Sequence, residues 1–365
     1  MNAGAILLAA GGTGGHLFPA EALAAVLAER GVAVSLVTDR RVEGLSARFP
    51  GGDVHSVSSA TPSGKGLAGK VSAALALAKG FLASRELLKR LKPAAVVGFG
   101  GYPSVPPVLA AAFGGIATIL QEQNAVMGRA NRFLAGRVDR ISTAFPKVQL
   151  ISAANAAKCV QTGVPVRPAV RRAAEQAYRQ PAARGRIRLL VFGGSQGARA
   201  FSDLVPEAVA LVDEGLRKRL DIVQQCRAED IERVAARYRE IGVSAETAPF
   251  FANLPQRMAD AHLIVSRSGA STVAELAVIG RPAILVPLPG AIDNDQLMNA
   301  RAFVEAGGGW LAEQAGLDAA TLAGLLSSAL AGPAALAAKA QAAKSVGNPR
   351  AAEALADLVL AVAGR

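Results

Sequence analysis

Three times along this chain an aliphatic run ends in a cluster of glycines that opens a helical or loop segment. The first is Ala5–Ala10 followed by Gly11-Gly12-Thr13-Gly14-Gly15-His16. The second is Ala95–Phe99 followed by Gly100-Gly101-Tyr102, and the third is Ile187–Phe192 followed by Gly193-Gly194-Ser195-Gln196-Gly197-Ala198 and a helical pattern over Phe201–Leu211. Aliphatic runs this short, bounded by turn residues, read as buried strands. A strand, a glycine turn and a helix in succession make an anion site, because the backbone approaches closely, N–H groups are exposed and the helix dipole presents its positive end. The chain is therefore constrained to an α/β architecture with several such loops.

At 365 residues, two domains are the better prior for a chain with half its residues apolar. Gly163-Val164-Pro165-Val166-Arg167-Pro168 reads as a linker. It divides the chain into 1–164 and 165–347, with a final helix in 348–365 that packs back on the first domain. Cys159 and Cys226 lie far apart and outside any CxxC spacing, which excludes a disulfide framework or a zinc ribbon. The N-terminus lacks a basic n-region and is broken by glycines, so it fails as a signal peptide. The uncharged stretch 93–121 is interrupted by four prolines and five glycines, which argues for strand, loop and helix rather than a membrane span.

The net charge of +12 is unevenly placed: residues 1–165 hold 17 Lys/Arg against 8 Asp/Glu, and the remainder 23 against 20. A basic first half implies an acidic partner: nucleic acid, anionic lipid or a phosphorylated substrate. Within it, a long helix over Leu67–Leu91 carries Leu67, Val71, Leu75, Ala78, Leu82 and Leu88 on one apolar stripe, with Phe81 and Leu91 at its edges. Over residues 65–92, Lys65, Lys70, Lys79, Arg85, Lys89, Arg90 and Lys92 face only Glu86. A helix of that composition suits an anionic membrane surface. Other elements follow the alternation: a helix from about Pro19 to Arg30, strands Val34–Val37 and Ile116–Leu120, and a helix through Ile279 stopped by Gly280. Beyond the strand Pro282–Val286 the reading is all helical.

None of the glycine loops matches the dinucleotide fingerprint, since Leu17 stands where G-x-G-x-x-G needs glycine, and none carries a Walker lysine. His16 lies at a helix N-terminus, where the dipole depresses its pKa and leaves it able to accept a proton. Glu275, read in the first turn of the helix opened by Ser268–Thr272, could accept hydrogen bonds from a ribose diol. Ser195, Ser271 and Thr272 are loop hydroxyls suited to phosphate oxygens or to capping. Asp293-Asn294-Asp295 fits a D-x-D metal pattern, but capping of the next helix explains it better.

Taken in order, the GGTGGH loop at 11–16, Gly98-Phe99-Gly100-Gly101-Tyr102-Pro103, Gln121-Glu122-Gln123-Asn124, the GGSQGA loop at 193–198 and Ser266-Arg267-Ser268-Gly269-Ala270 through Glu275 resemble the MurG family of N-acetylglucosaminyltransferases over the whole chain. The resemblance implies a glycosyltransferase-B fold, two Rossmann-like doubly wound domains facing a cleft. It further implies inverting transfer of GlcNAc from UDP-GlcNAc to the C4 hydroxyl of undecaprenyl-diphosphate-linked muramoyl-pentapeptide, at the inner face of the cytoplasmic membrane. By the same resemblance Ser195 and the helix start Ala270, Ser271, Thr272, Val273 and Ala274 bind the donor. Glu275 takes the ribose, Gln296 the sugar and the Phe251 backbone the uracil, with Arg167 near the donor. Thr13, Gly14, Gly15 and Asn124 line the sugar side, Gly100, Gly101 and Tyr102 meet the acceptor diphosphate, and His16 is the general base. No cofactor, metal or nucleic acid is implied, and the basic helix is assigned to anionic lipid. Asp295 departs from the family pattern, where a neutral or basic residue commonly precedes the glutamine. A UDP-GlcNAc 2-epimerase, or a non-catalytic nucleotide-sugar-binding module, would share much of this pattern.

Overall fold

A computed structural model describes residues 4–11, 13–39, 49–50, 52–57, 67–194 and 197–364. The chain divides into two compact units, residues 1–167 with 349–365, and residues 168–348. Arg167, grouped with the second half by the sequence reading, is the last residue of the first unit before the chain crosses over.

The first unit is built on strands β1 (Ile6–Ala9), β2 (Val34–Thr38), β3 (Val54–Ser56), β4 (Ala95–Gly98), β5 (Ala117–Glu122), β6 (Arg140–Thr143) and β7 (Cys159–Gln161). They form one parallel sheet in the order β3-β2-β1-β4-β5-β6-β7, with Ile6 opposite both Val34 and Ala95. Central strands buried on both faces need apolar residues at every position, which is why β1 reads Ile-Leu-Leu-Ala without alternation. On one face Leu17, Leu23 and Leu27 of helix α1 (Gly14–Glu29) close over Ile6 and Leu8, together with Leu355 and Val359 of the terminal helix Ala351–Val362. Arg30 Nη1 donates to Asp357 Oδ1 at 2.6 Å across that face. The other face holds Leu7, Val96 and Leu120 against α2 (Leu67–Leu91), α3 (Val105–Phe113) and α4 (Arg129–Ala135).

The second unit repeats the plan with β8 (Ile187–Phe192), β9 (Leu220–Gln225), β10 (Ser244–Ala248), β11 (Leu263–Ser266), β12 (Ala283–Leu285) and β13 (Gly309–Leu311), parallel and ordered β10-β9-β8-β11-β12-β13. Both edge strands escape the sequence reading. Ser-Ala-Glu-Thr-Ala of β10 has no aliphatic run because an edge strand is only half covered, and β13 is three residues long and begins on glycine. The all-helical reading of the chain after β12 is thereby corrected.

Three further corrections concern helices. Helix α1 begins at Gly14 rather than near Pro19; proline favours a helix start, but here it sits in the second turn. Glu275 is the sixth residue of Ala270–Ile279, in its second turn, and is buried. On α2 the face toward the core is Leu77, Phe81, Ser84, Leu87, Leu88 and Leu91, whereas Leu75 and Leu82 of the expected stripe are 59% and 63% exposed. Lys65 lies outside the described residues, as do the side chains of Leu67, Lys70 and Val71.

Candidate active site

In the first sheet the chain runs outward from β1 through β2 and β3, then returns to place β4 on the other side of β1. Loops leaving the carboxyl ends of β1 and β4 diverge there and open a crevice, the switch point where ligands bind in open α/β sheets. The first two glycine loops are those loops. Gly11 N donates to Gly100 O at 3.1 Å, locking one to the other. Gly100 and Gly101 have φ of +88° and +74°, which only glycine adopts without strain. A Cβ on Gly100 would stand 3.2 Å from His16 Cε1, and one on Gly101 3.3 Å from His16 Cδ2. The glycines thus form the floor on which the His16 ring lies.

His16 enters α1 two residues after its start, with Thr13 in the capping position. Its pKa is held below the ordinary 6.5, chiefly by burial, against an opposing pull from the Phe99 carbonyl. That carbonyl already accepts Gln123 Nε2 at 3.1 Å, and His16 Nδ1 finds no hydrogen-bond partner among the described residues, so burial prevails. The sequence reading had the direction right but credited the helix dipole.

A polar cluster at the end of β5 supports this floor. The buried Glu122 carboxylate accepts from Asn124 N (2.9 Å), Gly128 N (2.9 Å) and Asn131 Nδ2 (2.8 Å). Burial raises its pKa and those donors lower it; the upward effect is the larger. Asn131 Nδ2 lies 3.7 Å from where a Gly100 Cβ would be, and Asn131 Oδ1, like His16 Nδ1, is buried without a partner among the described residues. Two residues beside Gly100 thus each bury a polar atom without a partner among the described residues, as a site for a polar ligand or water would. Glu122 and Asn131 were missed as site residues. The polar run Gln121-Glu122-Gln123-Asn124 stood out in the sequence but only Asn124 of it was given a role, and Asn131 sits inside a helix with no local signal.

The second sheet has its switch point between β8 and β11. Gly194 and Gly197 of the third loop take φ of +97° and +70°, and a Cβ on Gly193 would stand 2.6 Å from Ala198 N, so the turn itself demands glycine. Ser195 and Gln196, like Gly12 of the first loop, lie outside the described residues. Gln225 Oε1 accepts from Gly193 N and its Nε2 donates to Pro249 O, both at 3.2 Å. One amide therefore ties the glycine loop to the backbone just before Phe251. Phe251 is buried with the Arg257 guanidinium 5.0 Å from its ring centroid. Its carbonyl accepts from Leu254 N at 3.2 Å.

After β11, Arg267 is buried on the Phe201 ring, 4.9 Å from its centroid. Its Nη1 donates to Val286 O and Pro287 O, both at 3.1 Å, and Nη2 to Gln314 Oε1 at 2.6 Å. Gly269 then caps helix Ala270–Ile279 and makes no side-chain cap bond, and the positive end of such a helix suits an anion. Gln296 is fixed by its neighbours: Oε1 accepts from Leu288 N at 3.0 Å and its carbonyl accepts from Ser268 Oγ at 2.8 Å. Its amide NH₂ is thereby oriented as the donor end. Asp295 Oδ1 accepts Gln296 N at 2.8 Å, and burial first, then the charge of Asp293, raises its pKa.

The structure thus brings His16, Gly100, Gly101, Tyr102, Thr13, Gly14, Gly15 and Asn124 to the switch-point end of the first unit. Phe251, Ala270–Glu275 and Gln296 gather at the equivalent end of the second. Two doubly wound parallel sheets with glycine turns at both switch points have the two-domain glycosyltransferase-B architecture. The glycosyltransferase family 28 N-terminal domain matches residues 6–143 and its C-terminal domain residues 188–355. A UDP-N-acetylglucosamine–N-acetylmuramyl-(pentapeptide) pyrophosphoryl-undecaprenol N-acetylglucosamine transferase of Methylobacterium sp. (strain 4-46) is 54% identical over 359 residues, covering 98% of this chain and 96% of that one. The crystal structure of Acinetobacter baumannii MurG superposes with a TM-score of 0.79 at 27% identity, over 98% of this chain and 99% of that chain. A Listeria monocytogenes UDP-N-acetylglucosamine 2-epimerase described as putative shares the fold alone, with a TM-score of 0.69 at 13% identity over 98% and 96% of the two chains. The chain belongs to the MurG family.

Proposed function

We propose that this protein transfers GlcNAc from UDP-GlcNAc to the C4 hydroxyl of undecaprenyl-diphosphate-linked muramoyl-pentapeptide, inverting the anomeric carbon. The observation that carries the reading is His16: a histidine kept neutral by burial, lying on two glycines at a switch point, beside orphaned polar atoms. In a single displacement the neutral imidazole takes the proton of the C4 hydroxyl as that oxygen bonds to the anomeric carbon. The bond to UDP breaks on the opposite face, and charge develops on the departing diphosphate. Helix Ala270–Ile279 offers that charge its positive end, with Ser195, Ser271 and Thr272 supplying hydroxyl donors and Arg167 a cation. The uracil meets the Phe251 backbone, Glu275 accepts from the ribose, and the Gln296 NH₂ donates to a sugar hydroxyl. Thr13, Gly14, Gly15 and Asn124 line the sugar side. Gly100, Gly101 and Tyr102 receive the acceptor diphosphate.

The lipid-linked acceptor suits an exposed face of the first unit. Leu75 and Leu82 of α2 and the 71% exposed Phe113 of α3 stand near the exposed Lys79, Arg85, Lys89 and Arg90. Phe81 and Phe113 meet edge to face at 6.1 Å. Apolar side chains rimmed by cations bind anionic bilayer surfaces peripherally. Among the described residues no single helix is long and apolar enough to cross a membrane. We assign the protein to the inner face of the cytoplasmic membrane.

The test is transfer of radiolabelled GlcNAc to a short-chain muramoyl lipid analogue, with and without EDTA. Labelled disaccharide lipid in both conditions supports the reading. Epimerised sugar nucleotide formed without acceptor, or donor binding with no transfer, overturns it.

A further inference from the structure

Asn131 lies in α4, where Ala130, Leu134 and Ala135 are buried with it. An asparagine placed among them needs both polar ends satisfied, since a buried amide without partners is costly. The NH₂ end is satisfied: Nδ2 donates to the Gln121 carbonyl at 3.3 Å and to Glu122 Oε2 at 2.8 Å. A main-chain carbonyl only accepts, and Glu122 Oε2 already accepts Gly128 N, so a flipped amide would set its own oxygen against two acceptors. Oδ1 is therefore the end left over, buried with no partner among the described residues. His16 repeats the pattern on the other side of Gly100. Of its two ring nitrogens, Nδ1 is the one buried without a partner among the described residues. A Cβ on Gly100 would stand 3.4 Å from His16 Nδ1 and 3.7 Å from Asn131 Nδ2, so glycine leaves bare the place where ring and amide approach each other.

A neutral imidazole carries one proton, and the partner of one nitrogen decides which form is held. Two acceptor oxygens belong to the surroundings of Nδ1: the Phe99 carbonyl, which pulls on the ring while accepting Gln123 Nε2, and the Asn131 amide oxygen. Neither bonds Nδ1 directly. A single water that accepts from Nδ1–H has one proton for Asn131 Oδ1 and one for Phe99 O, the three partners that a buried water commonly finds. We propose that Asn131 is a positioning residue: through one buried water its oxygen holds the proton on His16 Nδ1 and keeps Nε2 as the lone-pair nitrogen that receives the proton of the acceptor hydroxyl. This rests on the reading of His16 as the general base. Glu122 enters as the group that keeps the amide from turning. A neutral amide oxygen sets the place of the proton without the negative charge that would make the ring a standing cation.

Long-range proton–nitrogen correlation spectra of protein whose histidine rings carry the heavy nitrogen isotope test it, because they distinguish the Nδ1–H from the Nε2–H form. Of the three histidines, His16 is assigned by the signals lost in H16N. At a pH where its ring is neutral, the parent shows Nδ1–H. N131L keeps the bulk of the side chain but not the oxygen: the Nε2–H form becomes populated and kcat falls about tenfold to a hundredfold, with UDP affinity within about twofold. N131D retains an acceptor oxygen, whether its carboxyl is ionised or donates a proton to Glu122, and keeps the parent form. A parent in the Nε2–H form overturns the inference, and that measurement needs no variant to fold. An Nδ1–H form that survives in N131L overturns it too, as does one lost equally in N131L and N131D, which shows packing alone. In each of these cases a loss of kcat in H16N leaves the base reading standing. H16N with the kcat of the parent removes that reading and the inference together.

Discussion

The two units solve one geometric problem with different chemistry. Both have a switch point where the strand order reverses, and both place glycine turns there. In the first unit Gly100 and Gly101 are needed mainly for the space above them, which the His16 ring fills. In the second, Gly193, Gly194 and Gly197 are needed for the turn itself. A buried histidine whose pKa burial lowers sits at the first switch point. At the second, the positive groups are the Arg267 guanidinium and the start of helix Ala270–Ile279. On the proposed reading the first moves a proton and the second holds an anion. Substitutions in the first should fall on kcat and those in the second on donor binding.

The largest expected effect is at His16. H16N keeps a polar side chain of similar size but no base, and kcat falls about 10²- to 10⁴-fold while UDP affinity, measured by calorimetry, stays within about threefold. Equal losses in both quantities would break the comparison. The pH profile sharpens it. Because burial places the His16 pKa below 6.5, the acid limb of kcat/KM has its midpoint below that value and is missing in H16N. The sign for stability is the same: unfolded chain takes up this proton first, so the contribution of neutral His16 is full above pH 6.5 and is lost as pH falls toward the lowered native pKa. Denaturant midpoints across that range, in parent and H16N, check it.

Next is G100A. It imposes a φ of +88° on alanine and brings Cβ to 3.2 Å from His16 Cε1, so the ring must shift. Strain of about 1–3 kcal/mol is expected in the thermal midpoint, with kcat down about tenfold or more and donor KM unchanged. R267M is smaller in rate but opposite in kind. It removes the donor to the Val286 and Pro287 carbonyls and to Gln314 Oε1, and with it a buried cation shortly before the helix start in sequence. UDP affinity drops about tenfold and kcat at saturating donor changes little. A kcat loss with intact UDP affinity would place proton chemistry in the second unit and undo the contrast.

Much of this was legible in the amino-acid sequence, for a physical reason. Central parallel strands are apolar on both faces and end in glycine, so β1, β4, β8 and β11 announce both themselves and the loops that matter. Edge strands β10 and β13 carry no such signal, since half their surface is uncovered. Helix boundaries misled where proline and the first-turn preference for acids pointed to Pro19 and Glu275. Roles that rest on tertiary contact were not legible: Asn131, Gln225 and Arg267 bond to Glu122, Gly193 and Gln314 at separations of 9, 32 and 47 residues.

The smallest expected effect tests whether the second switch point is one site or two. Gln225 joins the glycine loop at Gly193 to the backbone at Pro249 with a single amide, its oxygen accepting on one side and its nitrogen donating on the other. Leucine at this position fills the volume but leaves Gly193 N–H and Pro249 C=O without that partner. Each loop then loses its register with the other, not its own fold, because Gly197 N still donates to Gly194 O at 3.2 Å and Leu254 N to Phe251 O at 3.2 Å. Uridine engages the base side alone and inorganic pyrophosphate the loop alone, so Q225L leaves both within about twofold, whereas UDP, which spans them, weakens about threefold to tenfold. Equal weakening of uridine and UDP would mean that Gln225 supports only the base side. That outcome would reduce the contrast between the units to one of residue type, with no difference in how their loops are coupled.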